Sequence, residues 1–269
     1  MFQLQVMTMT RVPKIIAHRG YKQVTPENTM AAFESAVKAG ADMIETDIHV
    51  CKSGEIVIMH DDNVSATSNG HGKISEMTLA ELMQLDVGGW FGSAYTGQRI
   101  ATLPELVSFF EKHPDLKLLL EFKGEWSESD CRKAIAALDA GNLRERTVLE
   151  SFDTATMAAL QKVAPSYDRG LLVEYPDPNY PVANVPTLPT LLSTCADLGV
   201  MCLNPSVRIM RDHPELLKQA HAAGLQVMVW TADEPADFEL LTGLGVEAIC
   251  TNRPAFLAGW HAGKESEVQ

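Results

Sequence analysis

The chain is predicted to be an α/β protein closed into a (β/α)8 TIM barrel. Three observations predict this. Strand-like and helix-like runs alternate through eight units in about 260 residues, the length such a barrel takes. Gly141, Gly199, Gly224 and Gly245 fall at the ends of helical patterns, where a left-handed residue is wanted. The rival architecture, an open doubly wound sheet, calls for a glycine-rich phosphate loop after its first strand, and His18-Arg19-Gly20-Tyr21 is not GxGxxG.

Taken in order, residues 1–11 read as a tail or a short leading strand. Residues 13–18 are an apolar run ending in polar residues, a buried strand. Thr25-Pro26-Glu27-Asn28-Thr29 is a loop followed by a helix cap, with Asn28 or Thr29 able to cap a helix that runs to about residue 39 and stops at Gly40. Residues 41–50 form the second strand. Lys52-Ser53-Gly54-Glu55 turns the chain, and 56–60 returns as another strand. From about 61 to 102 the pattern weakens. Asn69-Gly70-His71-Gly72 and Gly88-Gly89-Trp90-Phe91-Gly92 are loops, and 78–85 is a short helix capped by Thr78. This stretch has too few apolar residues to fold alone and reads as an excursion from one edge of a single domain spanning 1–269. Strands are then expected at 117–122, 147–151, 169–173, 200–203, 225–230 and 246–250. Helices are expected at 103–112, 128–140, 154–163, 188–198, 214–223 and 235–241.

At 269 residues and 46% apolar content the chain can bury a sizeable core. Its net charge of −13 is spread along the chain, which argues against nucleic acid and anionic membrane surfaces as main partners. An acidic protein still takes an anionic substrate where a metal or local basic groups invert the sign. Cys51, Cys131, Cys195, Cys202 and Cys250 are dispersed with no CxxC pair, as expected of reduced, buried thiols in a cytoplasmic protein. Residues 1–14 lack a basic region followed by an apolar core, so no signal peptide is expected, and no run is long enough to span a bilayer.

In such a barrel, chemistry sits at the C-terminal ends of the strands. Ile44-Glu45-Thr46-Asp47-Ile48-His49-Val50 is the most informative stretch. Residues i and i+2 of a strand point to one face, so Glu45 and Asp47 project together, about 6.5–7 Å apart along the chain. Paired acids are costly in an apolar setting unless a cation holds them. The first strand ends in His18 and Arg19, the excursion strand in His60 and Asp61, the third barrel strand in Glu121 and Lys123, the seventh in Trp230-Thr231 and the eighth in Thr251-Asn252-Arg253. Three carboxylates with no histidine-rich or cysteine-rich ligand set favour a hard divalent ion, Mg²⁺ or Ca²⁺. Arg19 and Lys123 complement a phosphate, and His18 and His60 supply a general base and a general acid. Together these describe phosphoryl transfer or phosphodiester cleavage. Plainer roles exist for each. Arg19 pairs with Glu27, Glu121 and Lys123 form a surface ion pair, Trp230 packs in the core, and His49 is a rim residue.

The ordered set His18-Arg19-Gly20, Pro26-Glu27-Asn28-Thr29, Glu45-Thr46-Asp47, His60-Asp61, Glu121-Phe122-Lys123 and Val229-Trp230-Thr231 resembles the glycerophosphodiester phosphodiesterase family. Arg99-Ile100-Ala101-Thr102-Leu103 and Thr251-Asn252-Arg253-Pro254 resemble further landmarks, so the likeness runs from about residue 14 to 257. The resemblance implies a barrel with a small insertion after the second strand. It implies a metal held by Glu45, Asp47 and Glu121, an acid–base pair of His18 and His60, and phosphate contacts from Arg19 and Lys123. It also implies hydrolysis of a glycerophosphodiester to sn-glycerol 3-phosphate and an alcohol, the 2-hydroxyl attacking phosphorus to give a cyclic phosphate that water opens. The insertion and Trp230 would shape the pocket for the glycerol and alcohol parts. Three departures stand out. Asn252 stands where the family usually has Asp, Asp233 where Asn is common, and Ala66 where Arg is usual. Two rival readings remain. One is a lysophospholipid or sphingolipid phosphodiesterase of the same barrel superfamily. The other is a catalytically silent barrel that binds a phosphodiester.

Overall fold

The computed structural model describes residues 12–176 and 187–267. The expected tail or leading strand at 1–11 lies outside the described residues. Among the described residues ten strands form the sheet: β1 Lys14–His18, β2 Met43–Val50, β3 Ile56–Ile58, β4 Ala101–Thr102, β5 Lys117–Phe122, β6 Thr147–Ser151, β7 Asp168–Val173, β8 Cys202–Pro205, β9 Gln226–Val229 and β10 Ala248–Thr251. Eight of them are parallel neighbours in the order β1-β2-β5-β6-β7-β8-β9-β10, and β10 pairs back onto β1, so the barrel closes. β3 pairs antiparallel with β2, and β4 with β3, which is the insertion leaving the barrel after its second strand.

The helices are α1 Met30–Lys38, α2 Leu79–Leu82, α3 Leu103–Glu111, α4 Glu128–Ala140, α5 Thr154–Val163, α6 Leu191–Leu198, α7 Val207–Asp212, α8 Glu215–Ala222, α9 Pro235–Leu244 and α10 Pro254–Glu267. Their starts are written in short polar side chains. Thr29, Thr78, Thr102, Ser127 and Asp153 each accept a hydrogen bond from a backbone N–H in the first turn, and Thr78 and Thr102 complete capping boxes with Glu81 and Glu105. The expected helix at 188–198 opens as a 3₁₀ turn, Leu188–Thr190, before α6. α7 is a short helix beyond the sequence expectation, started by Ser206, whose hydroxyl accepts from the Ile209 N–H.

Period-2 alternation sorts the strand residues into two apolar layers. Ile15, Ala17, Ile44, Ile48, Leu118, Leu120 and Phe122 face outward, where the helices bring Phe33, Phe110 and Phe238 against them. Ile16, Met43, Leu119, Cys202, Met228, Ala248 and Cys250 fill the lumen. The lumen is therefore a packed floor rather than a channel. Val57, Met59, Val64, Ile74, Leu82 and Ile100 give the insertion its own small core.

Helix exits follow the glycine expectation at Gly199, Gly224 and Gly245, whose φ values are +56°, +80° and +91°. At the end of α4 the left-handed residue is Asn142, φ +55°, not Gly141. Gly141 is required by space instead, since a Cβ there would lie 2.3 Å from Val107 Cγ1. Gly20 meets both demands, with φ +79° and a virtual Cβ only 2.7 Å from the Ala32 backbone carbon. Gly20→Ala is therefore expected to cost at least about 1 kcal/mol of stability, read as a lower denaturant midpoint.

Candidate active site

The same alternation that buries the floor lifts a polar layer above it. Inward positions run from Ile16 to His18 on β1, from Met43 through Glu45 to Asp47 on β2, and from Leu119 to Glu121 on β5. Strand register then sets them side by side, His18 beside Glu45 and Asp47 beside Glu121. Oxygens of Glu45, Asp47 and Glu121 all lie within 4.8 Å of one another, and all three residues are buried.

Arg19 and Lys123 offset this cluster only in part. Burial, then the charges of Asp47, Glu150 and Glu121, push the Glu45 carboxyl well above its usual range. Burial also raises Glu121, against the pull of Lys123. Asp47 is held well below its usual range, because His60, Lys123, Arg19 and the Asn28 amide outweigh its burial. One Asp47 oxygen, Oδ1, is buried without a hydrogen-bond partner, with Lys123 Nζ 3.6 Å away. An all-oxygen donor set short of a cation fits a hard divalent ion.

Around the cradle stand the other expected residues. His18 Nδ1 is 2.7 Å from Asn252 Oδ1, and its Nε2 lies 3.9 Å from Glu45 Oε2. Burial, then the charges of Arg19 and Lys22, hold His18 well below the usual histidine range, so it is neutral near pH 7. His60, just beyond β3, bonds Asp61 Oδ1 through Nδ1 at 2.6 Å. Arg19 does pair with Glu27, at 2.7 Å, and also approaches Asp47 at 3.6 Å. Its backbone N–H donates to Glu45 Oε2 from a left-handed conformation, φ +56°, a strain held by this network. Lys123 Nζ donates to Glu121 Oε1 at 2.8 Å and is half-buried, more enclosed than a surface ion pair. Trp230 packs edge-on against Phe152 and donates its indole N–H to the Asn204 carbonyl. His18, Arg19, His60, Glu121, Lys123 and Trp230 all line one cavity of about 1070 Å³. Trp90 and Thr67 of the insertion also line it, as do Tyr175 and Arg208.

Several contributors escaped sequence reading. Asn28 is not the cap; Thr29 is. Asn28 instead accepts from Thr46 Oγ1 and donates to Asp47 Oδ2 at 2.8 Å, aiming that carboxylate. His49 is more than a rim residue, since its Nε2 donates to the His60 carbonyl at 3.1 Å. Glu150 on β6 is a fourth buried acid on the cavity, bonded by Asn204 Nδ2 at 2.6 Å and raised by burial and by Glu121. Its signal was inward parity on a strand end that looked purely structural. Arg253, at the end of the eighth barrel strand, turns away to the Phe256 ring and the Asp233 carbonyl.

Fold and site together define a (β/α)8 phosphodiester hydrolase. Residues 18–256 match the model of the glycerophosphoryl diester phosphodiesterase family, and the chain belongs to that family. It is 33% identical over 247 residues to the glycerophosphodiester phosphodiesterase of Caldanaerobacter subterraneus, which covers 90% of this chain and 95% of the relative. It is 27% identical over 271 residues to a human lysophospholipase D, covering 91% and 84%. A phosphodiesterase of Oleispira antarctica, solved with the product sn-glycerol-3-phosphate, superposes with a TM-score of 0.79 at 26% identity over 93% of this chain and 97% of that one.

Proposed function

We propose that the protein is a metal-dependent glycerophosphodiester phosphodiesterase that releases sn-glycerol 3-phosphate and an alcohol. The observation that carries this reading is the meeting of the three-carboxylate cradle, His18 and His60 on one cavity. Glu45, Asp47 and Glu121 would hold one Mg²⁺ or Ca²⁺. When bound, the ion supplies charge stabilisation to the phosphoryl oxygens. Arg19 and Lys123 clamp those oxygens. His18, neutral and buried, takes the proton of the glycerol 2-hydroxyl as its oxygen attacks phosphorus. A neighbouring hydroxyl held in line has the advantage of an intramolecular nucleophile. His60, oriented by its Nδ1 contact with Asp61, gives a proton to the alcohol oxygen as the P–O bond breaks. Water then opens the cyclic phosphate with the two roles reversed. Trp230 walls the pocket beside the scissile group. The buried, unpaired cysteines support a reducing, cytoplasmic setting.

A second substrate reading has its own support. The cavity is several times larger than glycerol phosphate needs, and Trp90, Phe152, Tyr175 and Trp230 line it. A lysophospholipid substrate suits such walls, as the human relative's name suggests. Phosphorus NMR of products from glycerophosphocholine and from lysophosphatidylcholine, each with Mg²⁺ and Ca²⁺, separates the readings. Glycerol 3-phosphate from the first substrate is expected. Preference for the second moves the chain to the lipid reading, and turnover of neither with either metal sinks both.

A further inference from the structure

We propose that Asp233, which does not line the cavity, is a positioning residue for His18 and acts through Asn252. The inference rests on His18 having the proton-transfer role given above. A continuous chain of hydrogen bonds links the three residues. Asn252 Nδ2 donates to Asp233 Oδ2 at 2.6 Å, and Asn252 Oδ1 lies 2.7 Å from His18 Nδ1. The second Asp233 oxygen is anchored, accepting from the Asn252 N–H at 2.8 Å and from Thr251 Oγ1 at 2.9 Å. A carboxylate only accepts, so the Asn252 amide must turn its nitrogen to Asp233 and its oxygen to His18. An oxygen facing Nδ1 places a proton on Nδ1. The lone pair of the neutral ring is then on Nε2, the atom facing the Glu45 side of the cavity. Asp233 thus writes the tautomer of a ring it never touches. An acceptor set directly against Nδ1 would do the same, but a neutral amide does so without placing another carboxylate beside Glu45.

Asp233→Asn tests this because it changes no shape. The new side chain keeps its oxygen for Thr251 and the Asn252 N–H, but presents an NH₂ group to the Asn252 amide. That amide must rotate, turning its own NH₂ to His18 Nδ1 and sending the ring proton to Nε2. In long-range ¹H–¹⁵N spectra of the metal-free protein, the His18 proton is expected on Nδ1 in the wild type and on Nε2 in the variant. The variant's kcat is expected to fall on the order of 10²-fold or more, with KM within about threefold and an unchanged melting temperature. The double variant D233N/N252D restores an acceptor against Nδ1, itself held by the amide at 233. It is expected to return the proton to Nδ1 and kcat to within about tenfold of wild type. A proton on Nε2 in the wild type, an unmoved proton in D233N, or a double variant no better than the single one overturns the proposal. Should D233N fail to fold, the wild-type and double-variant spectra decide alone. Should the wild type hydrolyse no phosphodiester, the reading of His18 as a catalytic base fails, while the spectra still judge the positioning.

Discussion

His60→Ala is expected to lower kcat on glycerophosphocholine by 10²–10⁴-fold, the usual worth of a general acid, while a glycerophosphodiester with a nitrophenol leaving group loses far less. The reason is the division of roles proposed for the two histidines. Asp61 Oδ1, 2.6 Å from Nδ1, orients the His60 ring. A proton held there is needed only where the departing alcohol is a poor leaving group. Nitrophenolate departs without it. His18→Ala, by contrast, is expected to lose a comparable factor on both substrates, because the attacking hydroxyl is the same in each. Steady-state kinetics of the two variants on the two substrates form a square of four rates. Equal losses for His60→Ala on both substrates would reverse or abolish the assignment. Neither ring is a main packing element, so circular dichroism and melting temperature should stay close to wild type.

Glu45→Gln is expected to act in opposite directions on activity and on stability. Three buried acids within 4.8 Å repel one another when no metal ion adds to the charge of Lys123 and Arg19. Burial raises the Glu45 carboxyl in the folded protein. A group whose proton is held more tightly folded than unfolded adds stability at acid pH, and loses that contribution as pH rises through its raised folded value. Near pH 7 Glu45, which must keep a proton or bury a charge on folding, therefore opposes folding of the metal-free protein. Replacing it with glutamine keeps an acceptor for the Arg19 N–H and removes the charge. The metal-free variant should melt higher, by about 2–4 °C for each kcal/mol relieved. Hydrolysis should fall on the order of 10³-fold, since electrostatic help from a metal amounts to several kcal/mol. Mg²⁺ or Ca²⁺ should raise the melting temperature of the wild type by mass action and leave the variant nearly unmoved. Excess EDTA should silence the wild type. Full activity in EDTA, or a variant that binds and responds to metal like the wild type, would remove the cradle from the mechanism.

What could be read from the chain was whatever depends on local period. The alternation in Ile44–Asp47 and Leu118–Phe122 announces both a buried strand and the two-residue spacing that aims acids inward. Placing His18, Glu45, Asp47 and Glu121 at one barrel end followed from that parity, and register brought them together. The strands at 117–122 and 147–151 match to the residue, because long apolar runs with clear caps leave little choice. What escaped were contacts joining residues far apart in the chain. Asn28 holding Asp47, His49 holding the His60 carbonyl, and Asn252 meeting His18 across 234 positions carry no periodic signal. Asn28 and Thr29 both carry side chains able to cap, and only the fold decides that Thr29 caps while Asn28 holds Asp47. α7 was missed because six residues between two other elements leave no measurable helical period. Tyr175 and Arg208 reach the cavity from loops and a short helix, where side-chain direction cannot be inferred from spacing.

The hairpin formed by β2 and β3 has one further consequence. His60 is not mounted on a barrel stave but follows β3, and the same excursion supplies Ala66, Thr67 and Trp90 to the cavity over its own small core. On the proposed mechanism, the attacking half of the reaction would be built into the closed cylinder and the leaving half would arrive as an attached cassette. On that reading, an exchanged cassette would admit a new alcohol without retuning the nucleophile's side. Chimeras cut at the turn after β2 and at the start of α3 are where such a swap would respect the joints of the molecule.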